Sequence, residues 1–169
     1  RCNLDCSLCY LSAHSESVRD LPLEVLLARL DAIKSEFGVG TNVQITGGDP
    51  TLRKHHELVR IVQHARDLGL MPALFTNGIA ASKKLLHSLV DNGLSDVAFH
   101  VDLTQKHAGV DTEAALNEIR GSFIERVRGM PLMVIFNTTV HQQNFHEIPD
   151  LAAFFVRNAD VVSMASFQL

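Results

Sequence analysis

The sequence predicts an α/β fold whose parallel strands form a barrel or partial barrel. Segments with a helical apolar stripe alternate with short apolar segments of strand length through five repeats. Strands separated by helices of about 10–15 residues indicate right-handed βαβ units and a parallel sheet. No glycine-rich dinucleotide fingerprint follows any strand, which disfavours a nucleotide-binding doubly wound sheet.

The composition is that of a soluble globular protein of one domain. The chain has 169 residues, of which 46% are hydrophobic and 20% are charged. The formal net charge of −4 offers no strong field to nucleic acid, so no nucleic-acid partner is expected. The apolar runs are strand-sized, so no membrane span is expected, and a cytoplasmic location follows as the default. Because the chain begins at Arg1, we expect 1–169 to be one core domain cut from a longer protein.

The first helix is predicted to begin near Pro22, with Asp20 as a candidate N-cap. A proline in the first turn loses no hydrogen bond there, because the first N–H groups of a helix have no partner within it. The apolar residues then follow the i, i+3, i+4 spacing of a buried stripe until Gly38 ends the helix. A short strand over 43–46 comes next.

The later elements continue the alternation, and a further strand is expected just before Arg1. The predicted strands cover 71–76, 97–102, 132–139 and 160–167, and the predicted helices cover 58–68, 83–91, 112–128 and part of 145–157, which Pro149 interrupts.

Three cysteines, Cys2, Cys6 and Cys9, are the only ones in the chain and have the spacing C-x3-C-x2-C. An odd number of thiols cannot form a complete disulfide set, and such short spacings indicate metal or redox chemistry. Structural zinc is one alternative, with His14 as the fourth ligand.

A second motif follows about forty residues later and consists of Gly47, Gly48, Asp49 and Pro50. Together with the cysteine spacing it resembles the radical S-adenosylmethionine (SAM) superfamily, over essentially the whole chain. The resemblance implies a partial (β/α)6 TIM-like barrel in which the cysteine loop follows the first strand. That strand would be the one missing before Arg1.

The resemblance also implies the cofactors. Cys2, Cys6 and Cys9 would ligate a [4Fe–4S] cluster, which ordinarily takes four thiolates, so one iron would remain open to SAM. One electron from a donor such as a flavodoxin or ferredoxin would cleave SAM to a 5′-deoxyadenosyl radical, which abstracts hydrogen from a substrate. The resemblance does not identify the substrate or the reaction that follows, and methylation or modification of a lipid or cofactor are the candidates.

The 47–50 turn matches the GGEP-type motif that meets the methionyl amino group of SAM in this family. Two glycines let the backbone approach a ligand closely. Asp49 replaces the more common Glu and keeps the carboxylate one methylene shorter. Leu8 stands where many members have an aromatic residue, and Tyr10 is its expected substitute.

Polar residues at strand ends are the remaining candidates for SAM contacts, namely Asn77, Asp102 and Asn137. Side chains alternate between the two faces of a strand, so Ala98, His100 and Asp102 share the face expected to line the interior. Each has a plainer interpretation. Asp102 could cap the next segment, His100 could be a satisfied interior histidine, and Asn77 with Gly78 is a common turn.

A different class of function is also open at this point. The cysteines could hold a cluster or zinc in a binding or scaffold protein that cleaves nothing.

Overall fold

The computed structural model describes residues 1–9 and 19–169, and it contains one parallel sheet with helices. The strands are β1 (Asn42–Ile45), β2 (Met71–Thr76), β3 (Asp96–His100), β4 (Met133–Thr139) and β5 (Met164–Gln168). The helices are α1 (Leu23–Phe37), α2 (His55–Asp67), α3 (Lys83–Asp91), α4 (Asn117–Val127) and α5 (Ile148–Arg157). Within the described residues, three short 3₁₀ helices cover Pro50–Leu52, Leu103–Gln105 and Phe145–Glu147.

The sheet has the strand order β1-β2-β3-β4-β5, and every neighbouring pair is parallel. Each strand therefore pairs with the strand that precedes it in the chain. A doubly wound sheet would instead reverse its order at a switch point. The predicted α/β class with a parallel, barrel-like sheet is confirmed. None of the helices in the described residues combines the length and the apolar character needed to cross a bilayer.

The main hydrophobic core lies between the sheet and its helices. Phe99 of β3 is fully buried, and its ring centroid lies 5.0 Å from that of Phe123 on α4 and 5.5 Å from that of Phe136 on β4. Phe136 in turn lies 5.2 Å from Phe155 on α5. This row of rings fixes two helices against the outer face of the sheet and leaves the opposite face free.

Several predicted boundaries are wrong. Asp20 does not cap α1, because Pro22 occupies that position without a side-chain hydrogen bond, and Asp20 lies 3.8 Å from Arg1 instead. Helix α4 begins at Asn117 rather than at 112. The residues before α4 form turns. The side chain of Arg120 on α4 donates to the backbone carbonyl of Glu113 in these turns.

The end of the chain also differs from the prediction. Pro149 lies in the first turn of α5, where it costs no hydrogen bond, so it does not interrupt a helix. Strand β5 begins at Met164, four residues later than predicted, because 158–161 form turns.

The row of aromatic rings leads to a test of the core. We expect Phe99→Ala to lower the free energy of unfolding by about 3–5 kcal/mol, because a fully buried ring is lost and a cavity remains. The matched control is Phe37→Ala, which removes a ring that is 72% exposed. The control should change stability by less than about 0.5 kcal/mol. Urea unfolding measures both, and equal losses in the two variants would contradict this description of the core.

Candidate cofactor site

A cavity of about 500 Å³ opens at the carboxyl ends of the strands, within the range of small-molecule sites. All three cysteines line it, together with residues at the ends of all five strands, among them Thr46, Asn77, His100, Asn137 and Gln168. The carboxyl ends of parallel strands are also where α/β barrels gather their functional groups. The three thiols and the strand-end polar groups thus share one space.

The alternation of side chains along the strands explains which residues face this cavity. Ala98 and His100 of β3 line it, whereas Val97 and Phe99, which alternate with them along the strand, are fully buried in the core. Gln44 lines the cavity from β1. The predicted polar inner face and apolar outer face are confirmed.

The cysteine loop is held directly against the 47–50 turn. The backbone N–H of Asp49 donates to the carbonyl of Arg1 at 2.8 Å. A Cβ atom on Gly48 would lie 2.0 Å from that carbonyl oxygen, so only glycine fits there. At the other end of the loop, the N–H of Ser7 donates to the carbonyl of Thr104 at 2.8 Å. The loop is therefore tied to the end of β1 and to the segment after β3.

Asp49 supports the turn from behind. Its buried carboxylate accepts from the N–H of Thr51 at 2.9 Å and from the Thr51 hydroxyl, which caps the 3₁₀ helix Pro50–Leu52. It also accepts from the hydroxyl of Thr76 at 2.8 Å and from the N–H of Asn77 at 2.9 Å. Because these donors occupy the carboxylate, the SAM contact predicted for Asp49 is revised to a positioning role. Pro50 does not line this cavity, and its contact stays a prediction. Gly47 and Gly48 line the cavity, so their contact stays a prediction.

Two asparagines that were predicted to contact SAM, Asn77 and Asn137, lie in the cavity wall. The amide nitrogen of Asn77 donates to Asn3 Oδ1 at 2.7 Å and lies 3.9 Å from the sulfur of Cys2. Asn137 is 6% exposed and lines the cavity, and its side chain makes no hydrogen bond within residues 1–9 and 19–169. Its amide faces the open cavity, where a ligand or water can satisfy it. Both residues stay candidates for cofactor contacts.

Asp102 is not part of the wall, which corrects the direct contact predicted for it. The residue is fully buried, and its carboxylate accepts from the N–H of Thr104 at 2.9 Å, from the N–H of Thr139 at 2.7 Å and from Nε2 of His100 at 2.7 Å. It caps the 3₁₀ helix Leu103–Gln105, the alternative that the sequence left open. It thereby fixes His100 and Thr139, which do line the cavity.

Electrostatics distinguish the buried carboxylate from the thiols. Burial alone would raise the pKa of Asp102, but hydrogen bonds from His100, Thr104 and Thr139 and the charge of His100 outweigh burial and hold the pKa well below its usual range. Burial raises the pKa of the Cys6 thiol to about 11, and the neighbouring Cys2 and Cys9 add to the rise. Binding of a thiolate at Cys6 therefore calls for a cationic partner such as iron.

The residues of the cavity fit a [4Fe–4S] cluster. Three thiols line one wall, and the glycine turn keeps that wall free of side-chain bulk. Each iron of such a cluster takes its own thiolate, so the ligands do not converge on one point. Among the described residues no three His, Cys, Asp or Glu side chains gather to hold a metal ion. His14 of the zinc alternative and Tyr10 lie outside the described residues.

Fold and site together define an α/β domain with a cavity suited to a thiolate-bound cofactor. A family model for the radical SAM superfamily matches residues 1–155, and the chain belongs to this family. The family uses a [4Fe–4S] cluster and SAM. The chain is also similar, with a TM-score of 0.75, to the solved structure of histidine-tagged anSMEcpe with bound AdoMet, and its structural neighbours are TIM-barrel-like. That similarity has 15% identity and covers 99% of this chain and 48% of the other.

Curated relatives extend over most of this chain. A 7,8-dihydro-6-hydroxymethylpterin dimethyltransferase of Methanocaldococcus jannaschii is 29% identical over 174 residues, which cover 99% of this chain and 34% of the relative. A PqqA peptide cyclase of Bradyrhizobium diazoefficiens is 30% identical over 175 residues, which cover 99% of this chain and 44% of the relative. The chain thus spans less than half the length of each of these relatives.

Some residues that shape the site were not found from the sequence. Thr139 could have been found, because it shares the inner face of β4 with Asn137 two positions earlier. Glu113, Arg120 and Asn144 could not, since their buried contacts join segments that are distant in the chain.

The close contact at Gly48 can be tested by adding one methyl group. We expect Gly48→Ala to lower the free energy of unfolding by about 1–3 kcal/mol, because the backbones of Arg1 and of the turn must move apart. Gly121→Ala on α4 is the control, since a Cβ there meets nothing within 4 Å. The control should be neutral or stabilising by up to about 1 kcal/mol. Chemical unfolding of both variants decides, and equal stability would contradict the contact.

The Asp102 carboxylate leads to a prediction about pH. A carboxyl with a lowered pKa in the folded state contributes stability above its unfolded pKa of about 3.9, and this contribution is lost as the pH falls through the folded value. Asp102→Asn should therefore cost about 1–3 kcal/mol at pH 7 and clearly less at pH 3. Urea unfolding of the cluster-free protein at both pH values measures the difference. A cost that did not depend on pH would show that the charge has no role.

Proposed function

We propose that this chain is the cluster-binding and SAM-binding core of a radical SAM enzyme. The observation that carries the proposal is that Cys2, Cys6 and Cys9 line the same cavity as Gly47 and Gly48. Cys2, Cys6 and Cys9 would hold a [4Fe–4S] cluster, which when bound and reduced would supply the electron for cleavage of SAM to a 5′-deoxyadenosyl radical that abstracts hydrogen from the substrate. The electron comes from a donor such as a flavodoxin or ferredoxin.

The chain's own residues bind and orient the reactants. The three cysteines would each ligate one iron of the cluster, which would leave one iron open to SAM. The backbone of Gly47 and Gly48 receives the methionyl group, since neither residue places a Cβ against the ligand. Asn137 presents its amide to the cavity, and an amide can both donate to and accept from a nucleoside hydroxyl or ring nitrogen. Asn77 lies beside Cys2 and faces the same ligand.

The substrate is a separate question from the radical step. One relative is named for methylation of a pterin and another for cyclisation of a peptide, so the reaction that follows SAM cleavage differs between them. We assign the shared step to this chain, and a peptide, lipid or small cofactor precursor to the role of substrate.

Anaerobic reconstitution tests the proposed function. We expect the chain to bind about four irons and to release 5′-deoxyadenosine when dithionite and SAM are added. Cys6→Ala should abolish the release, because one iron loses its protein ligand. Asp5→Asn is the matched control, since Asp5 is exposed in the same loop and does not line the cavity, and this variant should keep most of the activity.

Other results of the same experiment would contradict the proposed function. Cleavage of SAM by Cys6→Ala at the wild-type rate would overturn the cysteine assignment. Zinc at one per chain without iron, or a stable cluster that never cleaves SAM, would favour the alternative of a scaffold protein.

A further inference from the structure

A buried polar network lies behind the cavity wall and does not touch the cavity. Its members are Glu113 in the turn before α4, Arg120 on α4 and Asn144 after β4, and all three are fully buried. None of them lines the cavity. The side chains of Glu113 and Arg120 form a buried ion pair.

The network joins the segments that follow β3 and β4. Glu113 Oε1 accepts from the N–H of Leu103 at 3.3 Å and from the amide of Asn144 at 2.7 Å. That amide also donates to the carbonyl of Thr139 at 2.9 Å. Arg120 donates to the carbonyl of Val101 at 2.8 Å. Glu113 and Asn144 therefore form a bridge between the two strand ends.

Both joined segments carry residues of the cavity wall. His100 and Thr104 flank the segment 101–103, whose backbone the network holds. The carbonyl of Thr139 accepts directly from Asn144. The N–H of Thr104 is bound to Asp102, which also holds Thr139. A shift of either segment would change the wall, and the carbonyl of Thr104 also holds the cysteine loop through Ser7.

Stability alone does not explain an ion pair at this place. Removing two charges from water costs as much as their attraction returns, and well-packed apolar residues of similar size are often as stable. Here Arg120 Nε also lacks a hydrogen-bond partner in the described part of the chain. The hydrogen bonds that Glu113 makes to Leu103 and Asn144 are what an apolar residue could not replace.

We infer that Glu113 and Asn144 are positioning residues that set the width of the SAM cavity between the ends of β3 and β4. The inference rests on the proposed function, since it concerns the same cavity. The residues do not touch the ligand, and they act through His100, Thr104 and Thr139.

Two double variants separate positioning from stability. Both remove the ion pair and differ only in whether residue 113 can accept hydrogen bonds: Glu113→Gln/Arg120→Met keeps an acceptor, and Glu113→Leu/Arg120→Met does not. The test uses the cluster-loaded protein, SAM binding by equilibrium dialysis, and hydrogen exchange of the Leu103 and Thr139 amides in the absence of SAM.

We expect the leucine variant to bind SAM at least about tenfold more weakly than the glutamine variant, because small misplacements of binding groups have large effects. Exchange at Leu103 and Thr139 should be faster in the leucine variant only. Equal SAM affinity in the two variants, with wild-type affinity measurably intact, would overturn the inference.

The test also covers a leucine variant that does not fold and a wild-type protein that does not bind SAM. If the leucine variant does not fold, Asn144→Leu with the ion pair in place must weaken SAM binding by at least about fivefold, or the inference is wrong. If the wild-type protein binds no SAM, the proposed function fails, and the hydrogen-exchange comparison alone decides whether the network orders the wall.

Discussion

The backbone contact between the cysteine loop and the 47–50 turn is the constraint on which the site depends. The carbonyl of Arg1 accepts from Asp49, and Gly48 lies too close to that carbonyl for any side chain. This contact brings the first cysteine to the end of β1, although the two motifs are forty residues apart in sequence. Without it, the thiols and the glycine backbone would not face one cavity.

Two of the buried aspartates, Asp49 and Asp102, make the same kind of local turn at two strand ends. Asp49 and Asp102 each begin an Asp-x-Thr sequence, accept from the N–H and hydroxyl of the threonine two residues on, and cap a 3₁₀ helix. Each also binds the end of the next strand in the sheet, at Asn77 and Thr139 respectively. Asp and Thr favour such local turns because their side chains bond their own backbone. The carboxylates therefore hold the cavity rim together.

The fold was largely predictable because its helices and strands follow from local patterns of apolar and polar residues. The apolar stripe of α3 and the apolar run of β2 were predicted with the observed bounds, and the inner face of β3 followed from side-chain alternation. Asp49 and Asp102 were recognised as important, but their partners were not, since the direction of a carboxylate depends on strands that meet only after folding. The start of α4 was missed for the same reason. The contacts of Glu113 and Arg120 replace the helical turn that local propensity favours.

The central claim is that three cysteine ligands leave one iron of the cluster open to SAM in this cavity. Magnetic resonance of the reduced, reconstituted protein with SAM labelled by ¹⁵N at the methionyl amino group and by ¹⁷O at the carboxylate tests it most directly. We predict hyperfine coupling of both labels to the cluster, and loss of both couplings in Cys6→Ala. A reduced cluster that binds in the wild-type protein but shows no coupling to either label would contradict the account.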